Sequence, residues 1–316
     1  MRIVDFTAAH IGPAAHIAKQ NYEEERGYVP ALPPINSVPD LTPYAENGLS
    51  VTAFEGDTMV GFLCAVGPFK NTFQSTDATG VFSPMGANAT VAENRANIYA
   101  RMYQAAGEKW AMAGATSHAV CLYAHDTEAQ QQFFRYGFGI RCMDAIRDMD
   151  EIAAPQCDGY EFFELTGDNA LEALPLDNML DRSYLDSPFF MYREGDSETE
   201  WLEYWNSCRP ICFTAKHDGQ NVAFILAELD GDNFIKDTEN YLHITGLFCL
   251  PEHRGKGVSQ KLLNLVIQQL RSKGYTRLGV NFESFNPFGF GFWTKYFSVY
   301  THSVVRRIDE HAITIR

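Results

Sequence analysis

The sequence predicts a mixed α/β protein that contains two copies of one domain. The stretch TGVF at 79–82 recurs as TGLF at 245–248, and RDMD at 147–150 resembles RIDE at 307–310. The paired stretches lie about 160 to 166 positions apart, in the same order along the chain. Each match is short, but their common order indicates an internal duplication. In each copy, apolar residues with two-residue alternation and then with helical spacing predict strands and helices together.

The boundary between the copies is predicted at 150–158. Ala153-Ala154-Pro155 and Asp158-Gly159 interrupt any periodic pattern there, as expected for a connecting segment. The predicted domains are therefore 1–150 and 158–316. A chain of 316 residues with 46% hydrophobic residues can build two cores of ordinary size.

Each copy is predicted to start with a strand and a helical region, followed by a β-hairpin. Glu55-Gly56-Asp57 and His217-Asp218-Gly219 mark the two hairpin turns, because glycine beside an acidic residue is typical of tight turns between strands. Asp168 is expected to cap the first helix of the second copy. The predicted strands are 2–6, 50–54 and 59–66 in the first copy, and 160–165, 211–216 and 221–228 in the second.

A fourth strand is predicted to end at Phe82 in the first copy and at Cys249 in the second, and a long helix follows it. In the second copy one face of this helix is apolar. A further strand, a short helix and a final β-hairpin complete each copy. The residues of the apolar face are Leu262, Leu263, Val266, Ile267 and Leu270.

The composition excludes several classes of protein. The formal net charge is −15, which opposes binding to nucleic acids or anionic membranes, because both need a basic surface. No apolar run approaches the ~18 residues of a membrane span. The seven cysteines are scattered without a Cys-x-x-Cys pair, so we expect reduced thiols, no metal site and a cytoplasmic protein.

The chemistry is predicted where the fourth strand meets the long helix of the second copy. Gly255 and Gly257 allow the backbone to turn tightly, so that several N–H groups meet at the start of the helix. The positive end of the helix dipole and the cations Arg254 and Lys256 favour an anion such as a diphosphate. An ordinary glycine-containing loop with exposed basic residues is the alternative. The stretch is neither a P-loop nor a dinucleotide fingerprint, because the required glycines and lysine are missing.

This stretch resembles the Q/R-x-x-G-x-G/A signature of the GNAT superfamily of acyl-CoA N-acyltransferases. Arg254, Gly257 and Ser259 occupy the signature positions, with serine in place of the last glycine or alanine. Downstream, N-x-x-G-x-x-F-W-x-K at 286–295 resembles the N-x-x-A-x-x-F-Y-x-K segment of the same family. The resemblance covers residues 160 to about 309 and, more faintly, the first copy. It implies two tandem GNAT-like domains, each with a mixed, mostly antiparallel sheet flanked by helices.

The resemblance implies acetyl transfer from acetyl-CoA to an amine of a small molecule or peptide. The strand residues would bind the pantetheine arm through their backbone, and the loop would bind the diphosphate. Asn286 would either touch the cofactor or only cap the following helix. A non-catalytic acyl-CoA-binding or sensing protein is the alternative function. The residues expected at the cofactor are Leu247, Phe248, Cys249, Arg254, Gly255, Lys256, Gly257, Val258, Ser259 and Asn286.

Proton transfer needs further residues, because the attacking amine must be neutral. His243 on the fourth strand and Glu283 at the end of the fifth are candidate bases, although each could also be purely structural. Trp293 stands where the family often has a tyrosine that protonates the departing thiolate, and an indole cannot do this. Tyr296, one turn further along, is the candidate acid, with a core aromatic as its alternative role.

The first copy is predicted to have lost its cofactor site. No glycine occurs between Gly86 and Gly107. An offset of 160 residues sets Asn94 against Arg254 and Tyr99 against Ser259, so a large side chain would replace a small one. The first copy would therefore be a degenerate GNAT-like domain without cofactor.

Overall fold

The computed structural model describes residues 1–72 and 78–314. The chain forms two compact units, and their limits differ from the predicted repeats. The first unit contains Met1–Asp144 together with the chain from Val299 onward, and the second contains Ala145–Ser298. The end of each repeat thus belongs to the other repeat's unit.

The first unit has the mixed α/β composition that the sequence predicts. The hairpin of β2 and β3 and the long helix α2 occur where the patterns placed them. Its elements are β1 (Arg2–Asp5), α1 (Ile11–Tyr28), β2 (Val51–Glu55), β3 (Thr58–Leu63), β4 (Val66–Phe69), β5 (Gly80–Ser83), β6 (Asn88–Thr90), α2 (Arg95–Met112), β7 (Ser117–Tyr123), α3 (Thr127–Arg135) and β8 (Gly139–Asp148, which continues into the second unit).

The second unit has the same class of structure. Its elements are β9 (Tyr160–Leu165), α4 (Leu174–Ser183), α5 (Glu198–Cys208), β10 (Ile211–His217), β11 (Gln220–Glu228), β12 (Tyr241–Cys249), α6 (Val258–Ser272), β13 (Arg277–Glu283) and α7 (Pro287–Tyr296). The last elements of the chain are β14 (Ser298–Val299), β15 (Thr301–Arg307) and α8 (Glu310–Thr314).

Strand pairing in the first unit is mostly antiparallel. One sheet has the order β1-β2-β3-β6, and the other strands follow the order β4-β5-β7-β15-β8. Only β5 and β7 are recorded as a parallel pair among these strands. Helix α2 packs on the first sheet, and its residues Ile98, Met102 and Trp110 are fully buried.

The last long strand of the chain completes the first unit. Strand β15 pairs antiparallel with β7 along its whole length and with the start of β8. Val304 is completely buried in the core of the first unit. The predicted closing hairpin of the first copy is wrong, because 139–148 form one continuous strand.

The second unit has the strand order β13-β12-β11-β10-β9. All these pairs are antiparallel except β12 with β13, which run parallel. All five apolar residues predicted for the long helix are buried in α6. Helices α4 and α5 contribute to a core with the tryptophans Trp201 and Trp205, which pack with Phe224 and Phe248. The predicted mixed, mostly antiparallel fold is confirmed.

The turn signals account for local details, with one correction. Asp218 and Gly219 both have positive φ values of 50° and 78°, as a tight hairpin turn requires. The first helical segment of the second copy is a short 3-10 helix, Gly167–Glu172, which precedes α4. The prediction that Asp168 caps it is wrong, because Thr166 occupies the N-cap position and exchanges hydrogen bonds with Asn169 in a capping box. Asp168 lies exposed in the first turn, where its charge still favours the helix start.

Candidate functional site

The candidate site begins where β12 separates from β13. The two strands pair only from Tyr241–Arg277 to Ile244–Val280. On its other side β12 pairs with β11 up to Cys249, with a bulge opposite Leu226 and Ala227. Thr245 lies at this bulge and is exposed, whereas the other residues of β12 are buried or half-buried. The sheet is therefore open to solvent at the middle of a central strand.

Beyond the separation, one backbone edge of β12 is free of strand pairing within the described chain. This edge belongs to the predicted residues Leu247, Phe248 and Cys249. An extended ligand can add to such an edge through main-chain hydrogen bonds. Burial raises the pKa of the Cys249 thiol to about 11, so the thiol is neutral and a poor nucleophile.

The loop after β12 presents N–H groups to solvent. A short 3-10 turn at Pro251–His253 leads to Gly255 with φ 74° and to Gly257 with φ 83°, and Gly257 is the N-cap of α6. Across the described residues, no hydrogen bond is recorded for the N–H groups of 255–260. Such donors, together with the helix dipole, suit an anion, and the binding of a diphosphate here stays a prediction.

Besides its positive φ, close packing against the segment that precedes β9 requires a glycine at position 257. A β-carbon on Gly257 would lie 2.2 Å from the Cγ atom of Pro155, in the segment that precedes β9. This segment also contacts the loop through the Cys157 thiol, 3.7 Å from the Lys256 carbonyl oxygen. Any side chain at 257 would therefore displace the segment and strain the positive φ.

Arg254 connects the strand end to the loop and to α7. Its Nε donates a hydrogen bond of 2.9 Å to the carbonyl oxygen of Cys249. Its guanidinium lies 4.9 Å from the ring centre of Phe288 and 5.6 Å from that of Phe248. Lys256 is exposed beside it. Both cations belong to the loop that carries the free N–H groups, and they favour an anion there in a strongly acidic protein.

Asn286 caps α7, which is one of the two roles predicted for it, the other being a contact with the cofactor. Its Oδ1 accepts hydrogen bonds from the N–H groups of Phe288 at 3.1 Å and Gly289 at 2.9 Å. Pro287 follows as the first helical residue, which is a favoured position for proline. The cap accounts for the residue type at 286, and a contact with a cofactor stays a prediction.

The two candidate bases are both buried. His243 is 3% exposed, its Nδ1 lies 2.7 Å from the hydroxyl of Tyr241, and burial lowers its pKa. Glu283 is 6% exposed, and its Oε1 lies 3.5 Å from Nη2 of Arg193. Neither residue lies at the exposed point of β12, and their assignment as bases stays a prediction.

The two aromatic residues of α7 differ in their surroundings. Trp293 is 6% exposed and packs edge-on against Phe292 and Phe297, so it belongs to the core. The hydroxyl of Tyr296 accepts a hydrogen bond from Gln260 in the first turn of α6. Tyr296 thus lies next to the start of α6, and its role as an acid stays a prediction.

The sequence analysis missed the carboxylates of α4 and of the segment before α5. Asp177 and Asp181 lie one turn apart on α4, and Arg193 and Asp196 lie in the following segment. Burial, reinforced by Asp181 and Asp196, raises the pKa of Asp177 to about 7. The i, i+4 spacing of two acids on an otherwise amphipathic helix is the one signal that the sequence offered.

A second missed group surrounds Glu228 at the end of β11. Its Oε1 accepts hydrogen bonds from Tyr204 at 2.5 Å and from Thr245 at 3.0 Å. Glu228 is 7% exposed. It fixes the exposed Thr245 at the bulge, so it stabilises the opening of the strand.

The first unit has a different helix start at the corresponding place. Asn94 is the N-cap of α2 with φ 61°, so it takes the position that Gly257 has at α6. The predicted alignment at an offset of 160 residues is therefore wrong by three positions, and Ala96, not Tyr99, corresponds to Ser259. Tyr99 is buried, and its hydroxyl donates to Asn88 at 2.9 Å.

A charged network fills the start of α2. Arg95 pairs with Glu24 and lies 3.6 Å from Asp126, which caps α3. His125 bridges Glu24, at 3.2 Å from its Nε2, and the fully buried Glu25. Three carboxylates at this helix start oppose an anion, in contrast to the loop of the second unit.

Comparisons with known proteins match the second unit to one family. The family model described as "Acetyltransferase (GNAT) family" matches residues 178–297, within the second unit. A comparison with curated protein sequences gives no match. None of the helices in the described ranges is long and apolar enough to cross a membrane.

Solved structures share the fold over nearly the whole chain. A GCN5-related N-acetyltransferase from Sphaerobacter thermophilus is 12% identical with a TM-score of 0.59, covering 97% of this chain and 95% of that one. The glucosamine N-acetyltransferase region of a fungal multi-domain GH3 β-N-acetylglucosaminidase is 11% identical with a TM-score of 0.51, covering 96% of this chain and 38% of that one. The family match includes the loop, the open strand edge and α7, so residues 178–297 are similar to the GNAT acetyltransferase family, and the chain shares the fold of these GCN5-related N-acetyltransferases.

Proposed function

We propose that the protein is an N-acetyltransferase that moves an acetyl group from acetyl-CoA to an amine of a small molecule or peptide. The second unit carries the reaction. The observation that supports this most directly is that two sets of free backbone groups, one along the unpaired edge of β12 and one at the start of α6, follow each other along the chain. A thioester with a pantetheine arm and a diphosphate has the same order of groups.

The residues of the second unit fit such a cofactor. Leu247, Phe248 and Cys249 would hold the pantetheine arm as an added strand. The loop from Arg254 to Ser259 would hold the diphosphate through its N–H groups and two cations. Bound acetyl-CoA supplies an activated acyl group, and the protein has to orient the amine and remove its proton.

The acceptor is proposed only as a class. A structure similar to this one includes a glucosamine N-acetyltransferase region, so amino sugars belong in a first panel. Peptides with a free amino group and polyamines complete it. The acidic residues of α4 support an acceptor that arrives as a cation.

The test is acetyl-CoA turnover with this amine panel, followed by release of the CoA thiol and by mass spectrometry of the product. We expect thiol release that depends on one class of amine, with a mass increase of one acetyl group on that amine. Tight binding of acetyl-CoA by calorimetry without amine-dependent thiol release would overturn the proposal. It would support an acyl-CoA sensor instead.

A further inference from the structure

The proposed reaction leaves one chemical requirement without a residue. An alkyl amine is an ammonium ion near neutral pH and cannot attack a thioester until it loses a proton. The nitrogen–carbon bond then forms, the carbon–sulfur bond breaks, and a second proton of the nitrogen neutralises the CoA thiolate. The first proton needs an acceptor close to the exposed part of β12.

Asp177 lies at this part of the strand. It is half-buried in the first turn of α4, and its Oδ1 would lie 3.7 Å from a β-carbon on Gly246. Because Gly246 has no side chain, it places no side-chain atom between the Asp177 carboxylate and the backbone of β12. Gly246 follows Thr245, the exposed residue at the bulge. The carboxylate therefore borders the place where the sheet opens.

Two other acidic groups near the opening, Glu228 and Glu283, are already engaged. Glu228 holds the hydroxyl groups of Tyr204 and Thr245. Glu283 lies beside Arg193. By contrast, no hydrogen bond or ion pair is recorded for the Asp177 carboxylate among the residues that the structure describes. A base has to be free to take a proton, and Asp177 meets this condition.

The surroundings of Asp177 suit a group that gains and loses a proton near neutral pH. Burial raises the pKa of Asp177, Asp181 on the same helix and Asp196 before α5 raise it further, and Arg193 opposes them. Cys212 on β10 also faces it. A carboxyl with a pKa of about 7 is half ionised at neutral pH, which is the best compromise between basicity and ionisation.

We infer that Asp177 is the catalytic base that takes the proton from the acceptor ammonium, and this inference rests on the proposed function. The protonated Asp177 then releases that proton to solvent before the next turnover. The acceptor class is accordingly an amine that is protonated in solution, because a neutral amine would not need this residue.

The first measurement needs no acceptor. In the full chain labelled with ¹³C-carboxyl aspartate, the Asp177 resonance, identified by its loss in Asp177→Asn, should titrate near pH 7. Asp181→Asn removes a like charge and should lower that midpoint. A midpoint near the ordinary value of about 4 would overturn the inference.

The second measurement uses acetyl-CoA with the amine from the panel that gives the fastest turnover. Wild-type kcat/KM should fall below about pH 7, because Asp177 becomes protonated there. Asp177→Asn should lose this dependence and at least ~10²-fold in kcat, the usual range for a general base. Its Kd for acetyl-CoA should not change. The matched control Asp168→Asn, at an exposed position on a neighbouring turn, should keep the wild-type profile.

A third measurement separates a catalytic role from a structural one. The raised pKa means that folded Asp177 binds its proton more tightly than unfolded Asp177, so its contribution to stability is lost as the pH rises through 7. At pH values above 7, Asp177→Asn should therefore have a higher Tm than the wild type, although it has lost activity. Unchanged kcat in this variant would overturn the inference, whereas a wild-type protein without turnover on any amine would instead overturn the proposed function.

Discussion

Ser259→Asp tests whether the start of α6 binds the diphosphate. Ser259 is half-buried at the second position of α6, and the first turn of this helix contains no acidic residue. An aspartate there interacts favourably with the helix dipole by about 0.3–1 kcal/mol, so the fold should be kept or slightly stabilised. The same charge would face any phosphate that accepts hydrogen bonds from the first-turn N–H groups.

The size of the effect follows from this geometry. Two like unit charges about 4 Å apart repel by ~1 kcal/mol in bulk water and by ~4 kcal/mol near a protein surface. For a half-buried position we take about 2 kcal/mol, which corresponds to an affinity about 30-fold weaker. The control is Ser259→Asn, because asparagine has nearly the same size as aspartate but no charge. This variant should bind acetyl-CoA almost as the wild type does.

Calorimetry with acetyl-CoA and with acetyl-pantetheine, which lacks the diphosphate, measures this difference. Ser259→Asp should weaken acetyl-CoA binding relative to Ser259→Asn, and the gap should narrow in high salt because screening reduces the repulsion. Acetyl-pantetheine should bind both variants equally. If the two variants bind acetyl-CoA within about threefold of each other, the diphosphate does not lie at this loop, and the reasoning fails.

Four further predictions concern the rest of the site. Acetyl-CoA should bind once per chain, because carboxylates surround the start of α2; a calorimetric stoichiometry near two would contradict this. Gly257→Val should abolish binding and lower Tm, because its β-carbon would collide with Pro155, whereas Gly255→Ala, which has nothing within 4 Å, should lower Tm less; unchanged acetyl-CoA affinity in Gly257→Val would show that the loop is not the binding site. Trp293→Phe should cost about 1–2 kcal/mol of unfolding free energy with little change in kcat, since the ring is buried. Tyr296→Phe should also change kcat only mildly, and a loss of ~10²-fold with an altered basic limb would make Tyr296 the acid.

The loop of the second unit could be predicted because its signals are local. The positive φ values of Gly255 and Gly257 and the apolar face of α6 depend on residues close together in sequence. The hairpin at 217–219 was predictable for the same reason. The α2 alignment failed because a constant offset ignores small insertions between the repeats.

Asp177 could not be predicted, because its properties depend on distant parts of the chain. Its proximity to Gly246 joins residues about 70 positions apart, and its pKa depends on burial and on Asp196. Pattern analysis detects that α4 is a helix but not which strand residue lacks a side chain opposite it. The pairing of β15 was missed for a similar reason, since alternation predicts a strand without naming its partner.

The position of β15 in the first unit determines how this protein can be divided. The pairing of Thr301 with Tyr123 and of Arg307 with Ser117 joins segments separated by most of the chain. During synthesis, the first unit therefore cannot acquire its full core until the residues around Val304 have emerged, and such non-local pairing is slow to form. A fragment that stops at residue 150 would leave the edges of β7 and β8 open to pairing with other chains. A soluble first unit should therefore require 299–314 to be supplied as a separate peptide or attached to it by a linker.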